Sequence, residues 1–214
     1  MTDVWSERAD AFRESAVHRE GPDLDLVVEW AEPGEGVVAL DVATGGGHVA
    51  RRLREAGCDV VTVDPAPGMR PTVVARAESL PFEDASFDVV TCRIAAHHFE
   101  DIEAAVREMA RVTRGRVVVE DNIFRGEHVE EAEKLRDPTH VRCYSEDEWR
   151  AFFERAGLTV EALERFERLQ NFEAWMARVE TPEEDVARVR ELLSDHVEHG
   201  QIAMDSIVLK GRKA

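Results

Sequence analysis

Two acids and three consecutive glycines carry the most legible chemistry in this chain. Asp41 ends an apolar run, Gly45, Gly46 and Gly47 follow it, and Asp64 ends a second apolar run. Glycines in such a turn permit positive φ and let a ligand reach main-chain N–H groups that a Cβ would shield. The spacing Gly45-x-Gly47-x-x-Ala50, with Asp64 where a ribose-binding acid belongs, satisfies a dinucleotide fingerprint. A nicotinamide-dependent oxidoreductase is therefore one reading. Asp41 favours another, because a diphosphate gains nothing from a carboxylate ahead of the glycines, whereas a cationic ligand does. The helix N-terminus opposite is electropositive, so the pair suits a zwitterion such as S-adenosylmethionine.

Two further groups could do chemistry. His97 and His98 follow the apolar run Phe87–Cys92, which places them at the crevice outside the carboxyl ends of the strands. Asp137, Pro138, Thr139, His140 and Arg142 make a polar loop of the kind that carries function more often than core positions do. A local Asx-turn with surface charges is the plainer account of that loop. His128, His196 and His199 sit on charged segments and read as solvated.

The elements that must position these residues follow from periodicity. A polar helix over about residues 3–19 carries Trp5, Ala9, Phe12 and Ala16 on one face, and Asp23 is placed to cap a second helix bearing Leu24, Val27, Val28 and Ala31. A strand over 36–42, a helix carrying Val49, Leu53 and Ala56, and a strand over Asp59–Asp64 make a right-handed parallel βαβ unit. Only PAPGMRP separates that unit from the strand-like Thr72–Ala75, too short for an ordinary parallel crossover, so the placement of a third strand stays open. Beyond Phe87–Cys92 come a helix with Ile102, Ala105, Val106 and Met109, a fifth strand from Val117 to Asp121, and a charged helix over Glu127–Arg136. Ser145 and Glu148 form a capping box, and a sixth strand spans Leu158–Leu163. A short helix holds Phe172, Trp175, Met176 and Val179, Thr181 and Pro182 open a last helix with a capping box, and Met204–Leu209 is the final strand.

Composition bounds the partners. With 214 residues and no low-complexity linker, the chain reads as one domain over 1–214, with a helical lid over 1–32 and helical elements over 123–157 and 165–200 near an acceptor pocket. A formal net charge of −18 argues against nucleic acid and anionic membrane surfaces, so the expected partner is a small molecule. Three cysteines without a C-x-x-C suggest neither a disulfide framework nor a metal site, and point to a reducing compartment. A first segment without basic and apolar signal regions fits a cytoplasmic protein, monomeric or homodimeric, with no membrane insertion.

Taken together, LDVATGGGHVA, VVTVDPAPGMR, ARAESLPFEDASFDVVTCRIAAHHFED and RDPTHVRCYSEDEW resemble the class I S-adenosylmethionine-dependent methyltransferases, in particular the small-molecule branch with the ubiquinone/menaquinone C-methyltransferases. The resemblance covers roughly residues 8–165. It implies an α/β, Rossmann-like fold with a mostly parallel seven-stranded sheet, an antiparallel last strand and helices on both faces; the shortened connection between strands two and three is a departure of this chain from that pattern. It also implies S-adenosylmethionine as cofactor, held by Asp41, Ala43, Thr44, Gly45 and Gly47, by Asp64 and Pro65 at the ribose, by Ala77 and Glu78 near the adenine, and by Arg93 and Ile94 beside the methionine part. The loop over the acceptor pocket would bring His140 and Arg142, so the candidate bases are His140, His97 and His98 in that order, with Arg142 orienting an anionic acceptor. Ser15 and His18 resemble a lid segment, and Phe172, Trp175 and Met176 are candidate pocket walls. This chain departs from the family in Ala43, where glycine is frequent, and in Arg76, where an acid usually meets the adenine amine. The implied activity is methyl transfer to a small molecule; a cofactor-binding protein without catalysis is the alternative nearest to it.

Overall fold

The computed structural model describes residues 4–213, the side chain of Ala16 excepted. The place expected for the Ala16 side chain on the leading apolar face, and the ends of the 1–214 domain, lie outside the described residues. The elements run α1 (Val4–Glu7), α2 (Ala9–Glu14), α3 (Ala16–Arg19), α4 (Pro22–Trp30), β1 (Val38–Val42), α5 (His48–Glu55), β2 (Asp59–Asp64), β3 (Val73–Val74), β4 (Phe87–Arg93), α6 (Ile102–Val112), β5 (Thr113–Asn122), α7 (Glu127–Arg136), α8 (Glu146–Arg155), β6 (Leu158–Asn171), α9 (Phe172–Arg178), α10 (Glu183–Leu192), β7 (Val197–Glu198) and β8 (Gln201–Lys213).

The main sheet has the order β3-β2-β1-β4-β5-β8-β6, with the two-residue β7 paired to β8. All pairs from β3 to β5 are parallel, and β8 runs antiparallel to both of its neighbours, β5 and β6. Parallel strands are covered on both faces, which is why β1, β4 and β5 read as near-continuous apolar runs. Alternation then sorts their side chains: Val117 and Val119 of β5 pack with α6 and α8, while Val118 packs with α4 and α5 on the opposite face. A third cluster joins α7, α9 and α10 to Ile202 and Met204 of β8, beside the main sheet core. No described helix is long and apolar enough to cross a membrane.

Several boundaries differ from expectation for identifiable reasons. The leading helix is three short helices, interrupted at Arg8 and at Ser15, whose ψ of 110° is extended. Asp23 is not a cap: Gly21, at φ 145°, precedes Pro22 at the helix start, and Asp23 is buried against Arg93. Thr181 does not cap α10 either, since its hydroxyl donates to Met176 O and Pro182 occupies the cap position. The fifth strand begins at Thr113, and β6 continues through Asn171, so 165–171 is strand where helical structure is expected. Residues 164–171, ERFERLQN, read as polar because β6 is the sheet edge, where Glu164, Arg165 and Glu167 face solvent and discourage further pairing.

The shortened crossover resolves cleanly. A single 3-10 turn, Pro67–Met69, replaces the missing helix, and β3 pairs with β2 through Val63–Val73 and Asp64–Val74. Thr72 N–H donates to Thr62 Oγ1 at 2.8 Å and Thr62 N–H to Thr72 Oγ1 at 3.2 Å, which fixes the edge. The surface that a crossover helix would bury is taken by the lid, whose Trp5, Ala9 and Phe12 cluster with Ala66 and Met69.

Candidate active site

The glycine turn joins β1 to α5 at the carboxyl end of the parallel strands. Ala43, Gly45 and Gly47 all lie in the left-handed region, at φ 53°, 50° and 77°. The conformation at Ala43 costs a non-glycine residue energy, which accounts for glycine at this place in relatives of the resembled type. At Gly46 the constraint is space: a Cβ there would stand 2.9 Å from Phe12 O and 2.7 Å from His48 Nε2. The lid thus closes directly onto the turn, and His48 Nε2 lies 3.0 Å from Phe12 O.

Asp41 and Asp64 frame this turn from two adjacent strands. Asp41 is 2% exposed and accepts from the hydroxyls of Thr44 at 2.7 Å and Thr91 at 2.8 Å. Burial pushes its carboxyl up to about 6, against the downward pull of the two hydroxyls. The Ala50 backbone lowers it as well, but among the described residues no cation pairs with this buried carboxylate, which could therefore face a positive charge. Asp64 Oδ2 accepts from Gly45 N–H and Oδ1 from Ala66 N–H, each at 2.9 Å, so its carboxylate holds the two turns in register. Carboxylate oxygens have further lone pairs, which keeps Asp64 competent toward ribose hydroxyls.

The other expected cofactor residues divide. Pro65 is exposed beside Asp64, and Ala77 is buried. Glu78 accepts from Glu100 N–H at 2.9 Å and lies 3.2 Å from Arg76, which is also 3.2 Å from Glu100. Burial raises the Glu78 carboxyl, but its hydrogen bonds and Arg76 bring it below the ordinary carboxylate value. Ile94, at φ 51°, turns the chain after β4. The Arg93 guanidinium is not directed at a ligand: it pairs with Asp23, stands 2.5 Å from Glu120 and donates to His18 O. It rivets the start of α4 to β4 and β5, leaving only its backbone for a cofactor.

The three expected histidines come together, though not with equal freedom. His97 and His98 have ring centroids 4.1 Å apart, and His140 lies 5.5 Å from His97 and 6.3 Å from His98. The polar loop reaches them because Val141 N–H and Arg142 N–H both donate to His97 O. The loop does contain an Asx-turn, with Thr139 N–H donating to Asp137 Oδ1. His140 Nε2 lies 3.1 Å from Glu130 Oε2, and Glu130 also accepts from Cys143 N–H. The Glu130, His140 and Cys143 donor atoms lie within 4.8 Å of one another, but these bonds already engage the carboxylate, so the group clasps α7 to the loop. His98 Nδ1 is 3.0 Å from Thr139 O, and its ring packs edge-on to Trp5. Burial, with His97 beside it, holds His98 well below the ordinary histidine range.

His97 stands apart. Asp121 Oδ1 is 2.5 Å from His97 Nδ1, while Asp121 Oδ2 accepts the His97 backbone N–H at 2.7 Å. Burial works to lower the imidazole, and the Asp121 carboxylate overrides it, so its pKa is raised. Geometry therefore orders the candidate bases with His97 first and His140, engaged by Glu130, behind it.

Arg142 lies elsewhere. Its half-exposed guanidinium is 2.7 Å from Glu148 and 5.2 Å from the Tyr144 ring centroid, at an open depression of ≈ 670 Å³ that shares no lining residue with the histidines. The histidine cavity, with ≈ 50 Å³ of space, is lined by His18, Ile94, His97 and His98 together with Arg168, Gln170, Trp175 and Arg178. His18 Nδ1 lies 2.7 Å from Ser15 Oγ. Trp175 is a wall of this cavity, whereas Phe172 and Met176 pack in the third apolar cluster.

Residues 40–119 match the family described as "Methyltransferase domain". The chain is 34% identical over 200 residues to the uncharacterised methyltransferase YcgJ of Bacillus subtilis, covering 83% of this chain and 79% of that one. The chain belongs to the class I S-adenosylmethionine-dependent methyltransferases. The crystal structure of the Bacillus subtilis YcgJ protein superposes with a TM-score of 0.82 at 28% identity, covering 89% of this chain and 97% of that one. A demethylmenaquinone methyltransferase of Beutenbergia cavernae is 42% identical over 101 residues, 42% of this chain and 41% of that relative. This methyltransferase-family chain thus spans about two fifths of that relative's length.

The residues at the turn suit the family's cofactor. Asp41 is a buried carboxylate that could face a cationic nucleoside, and Asp64 has acceptor oxygens that could meet a ribose. What sequence reasoning missed in this methyltransferase is the set of charges behind the site: Asp121 under His97, Glu120 and Asp23 under Arg93, and Arg168 and Arg178 on the cavity wall. Glu120 and Asp121 left a signal, as acids at the carboxyl end of a parallel strand, the same position that singled out Asp41 and Asp64.

Proposed function

We propose that this chain transfers the methyl group of S-adenosylmethionine to a small-molecule acceptor, with His97 as the base. Asp41 would hold the amino acid end, the backbone of residues 43–47 the adjoining part, Asp64 and Pro65 the ribose, and Ala77 and Glu78 the adenine. Bound there, the cofactor supplies an electrophilic methyl on a sulfonium, a group that needs no acid to leave. The chain's own residues do the rest. Trp5 and Phe12 of the lid exclude water, and the cavity walls hold the acceptor close and aligned. His97 Nε2, the ring nitrogen not engaged by Asp121, takes the acceptor's proton, and the Asp121 carboxylate fixes the tautomer and stabilises the imidazolium. The observation that carries this reading is the placement of the His97–Asp121 pair at the same carboxyl edge of the parallel sheet as Asp41 and Asp64.

Calorimetric titration with S-adenosylmethionine, S-adenosylhomocysteine and NAD tests the cofactor, and transfer of a labelled methyl group tests catalysis. Heat is expected with both sulfur nucleosides and not with NAD. Heat with NAD alone would return the turn to a dinucleotide role, and binding without transfer to any acceptor would favour a non-catalytic cofactor-binding protein.

A further inference from the structure

Three arginines line the histidine cavity, and two of them are neutralised. Arg136 lies 3.2 Å from Glu133 and stacks over the Trp175 ring at 3.9 Å. Arg168 lies 3.5 Å from Asp23 and 3.6 Å from Glu120, and donates to Asn122 Oδ1. Arg178 is different. Its guanidinium donates to a neutral acceptor, Gln170 Oε1 at 3.2 Å, and among the described residues no carboxylate lies within ion-pair distance of it. The one acid on the cavity wall, Asp137, is spent on Thr139 and on Arg8. Arg8 also donates to Val179 O, so the lid clamps the chain next to Arg178. Burial, with Arg136 and Arg168 nearby, pushes the Arg178 guanidinium down to about 10, still cationic at neutral pH.

We infer that Arg178, with Gln170 beside it, is the acceptor's anchor and that the acceptor is a small carboxylic acid whose carboxylate pairs with this guanidinium. The inference rests on the methyltransferase reading above. A partly buried guanidinium without a counter-ion lacks its natural partner, and a carboxylate matches its planar fork through two parallel hydrogen bonds. The cavity, with ≈ 50 Å³ of space, has room for a small anionic group. His97 and His98 line the same cavity, so an acceptor anchored there would have both imidazoles within its surroundings. This role replaces the one expected of Arg142, whose charge is spent on Glu148.

The test has two stages, so that the two readings fail separately. S-adenosylhomocysteine affinity, measured first, judges the cofactor site. Protein that binds it is then given labelled S-adenosylmethionine with three pools: small amino, hydroxy and keto carboxylic acids; their primary amides; and small phosphate monoesters. Label is expected in the carboxylic acid pool alone. Arg178→Gln is expected to lower kcat/KM for the labelled acid by at least about 30-fold, with S-adenosylhomocysteine affinity and melting temperature unchanged, because a charged pair inside a cavity is lost. Arg178→Lys should recover part of that loss. Label in the amide or phosphate pool, label in no pool by protein that binds S-adenosylhomocysteine, or an Arg178→Gln enzyme as active as the parent overturns the inference.

Discussion

Asp121 grips His97 twice, at the ring Nδ1 through Oδ1 at 2.5 Å and at the backbone N–H through Oδ2 at 2.7 Å. One carboxylate at the end of β5 therefore sets both the position of the short turn after β4 and the orientation of the imidazole it carries. Such a double hold fixes the orientation of the ring and leaves Nε2 as the nitrogen that Asp121 does not engage.

Replacing either partner should separate chemistry from binding. His97→Ala is expected to lower kcat about 10²-fold or more, the ordinary contribution of a general base, while S-adenosylhomocysteine affinity stays within about twofold. Asp121→Asn should shift the rising limb of the kcat–pH profile to lower pH, because the carboxylate is what lifts the His97 pKa above its ordinary value. Activity in the parent rises with pH as His97 loses its proton, so the asparagine variant reaches its plateau earlier. A pH profile unmoved by Asp121→Asn would assign the base to another group.

Asp64 has a different test. Its two oxygens hold Gly45 N–H and Ala66 N–H as well as the expected ribose. Asp64→Ala should weaken S-adenosylhomocysteine binding at least about tenfold, roughly 1.4 kcal/mol, as read by calorimetry. Undiminished affinity would place the ribose elsewhere.

Arg76 stands in competition at the edge where the adenine is expected. Arg76 engages Glu78 and Glu100, each at 3.2 Å, where the resembled family usually has an acid. Arg76 is half-exposed, so its removal leaves the core intact. Arg76→Asp is expected to tighten S-adenosylhomocysteine binding several-fold in the same calorimetric assay, by offering the adenine amine an acceptor and releasing Glu78. Unchanged or weaker binding would show that the adenine lies away from this edge.

How much of this was legible beforehand depends on what kind of information each residue carries. The parallel half of the sheet was readable because strands covered on both faces must be apolar throughout and end where the turn residues begin, as at Val38–Val42 before Gly45. The long β6 was not, because an edge strand with ERFERLQN in it obeys pairing to β8 and not hydrophobic alternation. Within the site, Asp41, Asp64, His97 and His98 announced themselves by position at strand ends. Their order of importance did not, since it depends on which partner each finds: Glu130 for His140, Asp121 for His97, Glu148 for Arg142. Arg178 is the extreme case, because its interest lies in the carboxylate it lacks, a property that only packing reveals.

Glu120 makes the last prediction, and it concerns stability. This carboxyl is fully buried between Arg93 and Arg168, close to Asp23, and burial pushes it up to about 7 despite the two arginines. A group whose folded-state pKa is raised contributes stability that is complete below its unfolded pKa of 4.5 and is lost as pH rises through about 7. Asp41, raised to about 6, acts with the same sign over a lower window. Glu120 should therefore contribute a loss on the order of 2–3 kcal/mol between pH 5 and pH 8, while His18 and His98, which burial holds low, act with the opposite sign. Glu120→Gln keeps the shape and removes this one titration, so its urea midpoint should gain on the parent's as pH rises from 5 to 8. Parallel pH dependences for parent and Glu120→Gln would mean that Arg93 and Arg168 keep Glu120 ionised throughout.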